Sequence, residues 1–147
     1  MSSVVPYVAN PFASRAMFRL KNLQILLVED DEADAYLIRR ALTGNAKVSQ
    51  VVHAWDGVEA LDLVDNYDVQ PDLAIVDLNM PRKDGFALLR DFAIRESAQF
   101  PAIVLTSSTA GADILRSWKR GAVEFMTKRS SVSEMAAALD HVISNIL

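Results

Sequence analysis

At 147 residues the chain has the size of one ordinary domain, and a hydrophobic content of 51% supplies enough apolar material for a continuous core. Charged residues make up 23% and the net charge is -4, which argues against both disorder and a dedicated nucleic-acid surface. The absence of cysteine excludes disulfide frameworks, thiolate zinc sites and cysteine nucleophiles, and fits a cytoplasmic location.

Residues 1–22 differ from the rest: Pro6 and Pro11 break them, Tyr7, Phe12 and Phe18 add aromatics, and Arg15 and Arg19 interrupt any apolar run. A secretory signal carries its positive charge before the apolar core, so this stretch reads as a leader or interaction arm. No later stretch approaches the roughly 20 apolar residues of a membrane helix, and no membrane partner is expected.

From Leu23 onward short apolar runs alternate with amphipathic stretches of helical length, the pattern of successive βα units on a parallel sheet. Strand one is expected over Leu23 to Val28, followed by a helix from about Ala33 to Thr43 that stops at Gly44-Asn45. Strand two spans Lys47 to His53. Asp56-Gly57-Val58-Glu59 has the spacing of a capping box, and the helix it opens is expected to bury Val58, Leu61 and either Val64 or Leu63.

Strand three covers Asp72 to Val76; Pro81 and Gly85 then break a loop before a helix with Phe86, Leu89, Ala93 and Ile94 on one face. Pro101 introduces strand four, Ala102 to Leu105, which ends in the polar cluster Thr106-Ser107-Ser108-Thr109. A helix around Ala112 to Arg120 is closed by Gly121, and Ala122 to Thr127 is strand five. Ser131-Val132-Ser133-Glu134 forms a second capping box, opening a helix with Met135, Leu139, Val142, Ile143, Ile146 and Leu147 on a wide apolar face.

Three of these strands end on charge: the first on Glu29-Asp30-Asp31, the third on Asp77 and the fifth on Lys128. Parallel strands place those ends side by side, where doubly wound sheets bind their ligands. Carboxylates gathered there repel one another unless a cation joins them, and a hard ion such as magnesium (Mg2+) suits Asp30, Asp77 and a loop carbonyl. A carboxylate beside such an ion can attack a phosphoryl group, so Asp77 is the candidate nucleophile. Lys128 and the Thr106 hydroxyl are placed to hold phosphoryl oxygens.

The segments Ile25 to Asp31, Pro71 to Pro81, Asp84-Gly85, Ala102 to Ser107 and Gly121 to Lys128 closely resemble, in order, the receiver domain of two-component response regulators. The likeness covers residues 23–147. It implies a flavodoxin-like α/β fold, a doubly wound five-stranded parallel sheet of order 2-1-3-4-5 with five helices. It further implies that Asp77 accepts a phosphoryl group from a sensor histidine kinase, and that Glu29, Asp30, Asp77 and the backbone carbonyl of Asn79 hold Mg2+. Thr106 and Phe125 then carry the switch, with Phe125 in place of the more usual tyrosine.

One departure stands out. Receivers commonly follow the lysine with a cis proline, whereas Arg129 follows Lys128 here, and a cis bond without proline costs about 3–4 kcal/mol. A trans bond and an altered loop are therefore expected. The loop Leu78 to Gly85, with Lys128-Arg129-Ser130, is similar to small regulators paired with phytochrome-type kinases, so the expected partners are a bacteriophytochrome kinase, a downstream protein and a second copy of the chain. With no effector segment after Leu147, the output is expected to be a protein contact rather than catalysis. Trp118 is either core or contact residue, and His53 and His141 read as ordinary strand or surface residues.

The alternatives are a pseudo-receiver indifferent to phosphate and a haloacid-dehalogenase-type phosphatase. The phosphatase needs a second Asp where Asn79 stands. A dinucleotide-binding domain needs a glycine-rich loop where Glu29-Asp30-Asp31 stands.

Overall fold

Alternating strands and helices build the chain, which a computed structural model describes over residues 22–147. The leader reading falls outside the described residues except for Asn22. The strands are β1 (Leu23–Val28), β2 (Val48–Ala54), β3 (Leu73–Val76), β4 (Ala102–Thr106) and β5 (Glu124–Thr127). The helices between and after them are α1 (Glu32–Thr43), α2 (Gly57–Asn66), α3 (Gly85–Ala93), α4 (Gly111–Lys119) and α5 (Val132–Ile146). All pairings are parallel and the order is β2-β1-β3-β4-β5, the expected doubly wound arrangement.

Successive strand residues point to opposite faces, so each central strand serves two cores. On one face Leu26, Val28, Val76 and Val104 pack with Leu61 and Val64 of α2 and Leu88, Leu89 and Phe92 of α3. On the other Ile25, Leu27, Ile75, Ile103 and Leu105 pack with Ile38 and Leu42 of α1 and Met135, Leu139 and Ile143 of α5. Burial of each large aliphatic side chain is worth about 1.5–3 kcal/mol, and such residues make up most of β1, β3 and β4.

Side-chain caps start four of the helices. Asp31, Asp56, Asp84 and Ser131 each accept a hydrogen bond from the backbone N–H three residues on. In the Asp56 box the return bond is displaced by one residue: Glu59 Oε1 accepts from Trp55 N–H at 2.9 Å. Gly121 adopts φ +96 after α4, a conformation that favours glycine, and lets the chain turn directly into β5.

Several expected faces differ in detail. Val58 is exposed, and α2 instead buries Ala60, Leu61 and Val64. In α3 the chain uses Leu88 and Phe92 where Ala93 and Ile94 were expected. The helix ends at Ala93, so Ile94 caps it in solvent at 74% exposure. Both cases reflect a choice between i+3 and i+4 that only the position of the sheet resolves. Trp118 is 58% exposed, which decides against the core reading.

Candidate functional site

The sheet reverses its strand order between β1 and β3, and the loops leaving those strands diverge there. Glu29 and Asp30 leave β1, and Asp77 leaves β3. One carboxylate oxygen of each lies within 4.8 Å of the others. Glu29 and Asp77 are buried, while Asp30 opens to solvent. Backbone bonds fix the bases of the two loops: Glu29 N–H donates to Ala54 O at 3.1 Å and Asp77 N–H to Val28 O at 3.0 Å. The His53 ring reaches the Glu29 carbonyl at 2.8 Å, a strand-to-strand bond in keeping with its reading as an ordinary strand residue.

The start of α3 packs directly behind the nucleophile candidate. A Cβ on Gly85 would stand 2.3 Å from Asp77 O and 2.7 Å from the Leu78 Cα, closer than any side chain tolerates. Only glycine permits this approach, which also lets Gly85 N–H donate to Leu78 O at 2.9 Å. Asn79 is exposed on the same loop, two residues beyond Asp77.

β5 delivers the lysine. Lys128 N–H donates to Thr106 O at 2.9 Å, extending the β4–β5 ladder by one residue. Its Nζ lies 3.2 Å from Asp77 Oδ2, 2.7 Å from Glu29 Oε1 and 2.7 Å from Asp34 Oδ2. The bonds to Asp77 and Asp34 are aligned hydrogen bonds, whereas Glu29 Oε1 is close without such alignment. The Lys128–Arg129 bond is trans, as expected, and Arg129 turns back to donate to Thr127 O at 2.7 Å.

Charge here is unevenly compensated. The Glu29 carboxyl is pushed up to about 8, first by burial, with the Lys128 contact opposing and the Asp77 charge adding to the rise. Burial alone would lower Lys128. The hydrogen bond to Asp34, the Glu29 carboxylate close by and the charge of Asp77 outweigh it and raise the ammonium above its ordinary value. Among the described residues, Asp77 Oδ1 and Thr106 Oγ1 are buried without a hydrogen-bond partner, and Glu29 Oε1 has only the unaligned Lys128 ammonium at 2.7 Å. Orphaned acceptors in such a setting cost free energy unless a ligand satisfies them. An all-oxygen, carboxylate-rich donor set suits a hard divalent cation, and the Thr106 hydroxyl is free to donate to an incoming oxyanion.

Of the site residues expected from the sequence, Glu29, Asp30, Asp77, Thr106 and Lys128 sit at this end of the sheet, Asn79 is on the loop after β3, and Phe125 lies two rungs back on β5. Glu29, Asp30, Asp77 and Lys128 are in mutual contact or nearly so, Thr106 is fully buried beside them, and Phe125 is half-buried on β5 opposite Val104. Sequence reasoning missed Asp34. It lies on the first turn of α1, where an acid is ordinary, and its partner is 94 positions away.

The family model described as "Response regulator receiver domain" matches residues 25–140. Among curated proteins, the transcriptional regulatory protein RprY of Bacteroides fragilis is 31% identical over 86% of this chain and 51% of its own length. The response regulator MprA of a Mycobacterium species is 33% identical over 80% of this chain and 49% of its own. The chain thus spans about half the length of these relatives. Among solved structures, the phosphorylated cyanobacterial phytochrome response regulator RcpA superposes with a TM-score of 0.74 at 31% identity, covering 82% of this chain and 91% of that one. The bacteriophytochrome response regulator AtBRR does so with a TM-score of 0.66 at 31% identity, covering 80% and 90%. A Mn(2+)-bound form of the response regulator Rcp1 is 26% identical with a TM-score of 0.71, covering 83% and 92%.

Proposed function

The chain belongs to the response regulator receiver family, and from that premise we propose that it is a magnesium-dependent phosphoryl switch with Asp77 as acceptor. The observation that carries this reading is the convergence of Glu29, Asp30 and Asp77 beside one lysine, with Asp77 Oδ1 and Thr106 Oγ1 left without a hydrogen-bond partner. Glu29, Asp30, Asp77 and the Asn79 carbonyl would hold Mg2+, which when bound neutralises the carboxylates and the charge on the transferring group.

In the transfer, a carboxylate oxygen of Asp77 attacks the phosphorus of a phosphohistidine on a sensor histidine kinase. The O–P bond forms as the N–P bond breaks, and the imidazole leaves with the electron pair. Lys128 is 3.2 Å from Asp77 already and takes a phosphoryl oxygen with little travel. The Thr106 hydroxyl donates to another. Drawing Thr106 toward the phosphoryl group opens space on β4 for Phe125, half-buried on the neighbouring strand, to turn inward. The surface of α4, β5 and α5 changes with it. That surface exposes the apolar side chains of Leu115, Trp118 and Val123, available to a downstream protein or a second copy of the chain. The regulator acts in the cytoplasm and catalyses nothing beyond its own phosphorylation and dephosphorylation. The likeness to RcpA and AtBRR favours a phytochrome-type kinase as phosphodonor.

Incubation with acetyl phosphate and Mg2+ is expected to add one phosphoryl group to the wild type and none to Asp77→Asn, read by intact mass, with beryllofluoride shifting the oligomeric size by light scattering. A wild type that stays unmodified would favour a pseudo-receiver. A mass change with constant size would remove phosphorylation-controlled dimerisation.

A further inference from the structure

Lys128 is anchored from a direction that the phosphoryl chemistry does not use. Its side chain is 12% exposed, so the ammonium depends on protein partners, and the shortest aligned bond it makes is to Asp34 Oδ2 at 2.7 Å on α1. Asp34 is available because its capping duty is taken over. An acid three residues after an N-cap ordinarily reaches back to the cap's own N–H. Here the Asp31 N–H donates instead to Glu29 Oε2 at 3.1 Å, and Asp34 contributes only its backbone N–H to Asp31 Oδ1 at 2.9 Å. The Asp34 carboxylate is left to cross to the β5–α5 loop.

That loop continues through a trans bond into exposed Arg129. We propose that Asp34 is the positioning residue of Lys128, tethering its ammonium to the first turn of α1 so that it faces Asp77 before and after phosphorylation. This rests on the phosphoryl-switch reading for its purpose, but the tether itself does not. Of the ammonium's three carboxylate neighbours, Glu29 and Asp77 are the two that a cation and a phosphoryl group would engage. Asp34 is the contact that need not break when they do. The ammonium can then turn from Asp77 Oδ2 to a phosphoryl oxygen about one fixed hydrogen bond, without a search by a long, flexible side chain.

The test compares wild type, Asp34→Asn and Asp34→Glu. In metal-free, 15N-labelled protein, the slowly exchanging ammonium signal of Lys128, identified by its loss in Lys128→Arg, is expected in wild type, absent in Asp34→Asn and restored in Asp34→Glu. With saturating Mg2+ and acetyl phosphate, Asp34→Asn is expected to take up phosphoryl roughly tenfold more slowly, the order of one charge-assisted hydrogen bond. Asp34→Glu should recover most of that rate. A mere helix-stabilising role would lower the melting temperature of Asp34→Asn and leave the ammonium signal in place. An ammonium signal retained in Asp34→Asn, or phosphorylation at the wild-type rate, overturns the proposal. If the wild type takes up no phosphoryl, the switch reading fails, and the ammonium signals still decide whether Asp34 holds Lys128.

Discussion

Two carboxylates at neighbouring strand ends meet opposite fates. Glu29 directly follows β1 and Asp56 lies two residues past the end of β2; they are 1% and 8% exposed, and burial is the largest influence on each. Yet Glu29 is pushed up to about 8, while Asp56 is held below its ordinary value. The difference lies in the company each keeps. Asp56 accepts from the Glu59 N–H at 2.8 Å and from Arg82 Nε at 2.7 Å, with no acid among the groups acting on it. Glu29 accepts one N–H, shares Lys128 with two other acids and faces the charge of Asp77. Asp56 is a satisfied structural cap. Glu29 belongs to a group left short of positive charge, as a site awaiting a cation should be.

The largest expected effect comes from removing the source of the imbalance. Asp77→Asn should abolish phosphoryl uptake and at the same time stabilise the metal-free protein by about 1 kcal/mol, because relief of repulsion at a functional site commonly has that sign. Chemical denaturation of the two proteins at pH 7.5 checks the stability half. A destabilised Asp77→Asn would mean that the lysine compensates the acids fully, and the contrast with Asp56 would collapse.

Asp56→Ala should act in the other direction, costing about 2 kcal/mol from the lost cap and the lost Arg82 bonds, read as a shift of the urea midpoint at constant slope. pH separates the two groups further. Glu29 takes up a proton on folding, so its contribution to metal-free stability is complete below its ordinary value of 4.5 and is lost as pH rises toward about 8. Asp56, held low, contributes fully above its ordinary value of 3.8 and loses that contribution only on further acidification. Denaturation between pH 5.5 and 8.5 should therefore show a decline assignable to Glu29. Saturating Mg2+ should flatten it, since the cation binds the ionised form.

The smallest effect should come from Arg82→Ala, at about 0.5–1 kcal/mol. Its side chain is 60% exposed, and exposed ion pairs are weak. Arg82 also sits at φ 65, a conformation that L residues adopt reluctantly, so Arg82→Gly should cost less than Arg82→Ala although both lose the pair. Equal costs would show that the backbone there is not strained.

Much of this was legible in the chain. The strand-ending charges Glu29-Asp30, Asp77 and Lys128 announced the site because parallel strands in short βα units can bring their carboxyl ends to only one edge. The capping boxes at Asp56 and Ser131 were equally local, requiring only the spacing of side chain and N–H within one turn. Asp34 was not legible. An acid on a helix's first turn is common, and nothing in its spacing points across to β5. The exposure of Ile94 and Trp118 was hidden for a related reason: helical periodicity marks an apolar face, and the neighbouring layer decides how much of it is covered.

By itself, then, the sequence determined the alternation of elements and the edge at which the reactive groups gather, since these follow from hydrophobic period and short right-handed connections, whereas the order of the sheet was implied only by the family resemblance. Only the tertiary structure decided which carboxylate is compensated and which is not. That outcome depends on desolvation and on contacts such as Lys128 to Asp34, made between residues far apart in the chain, and no spacing along the chain encodes them.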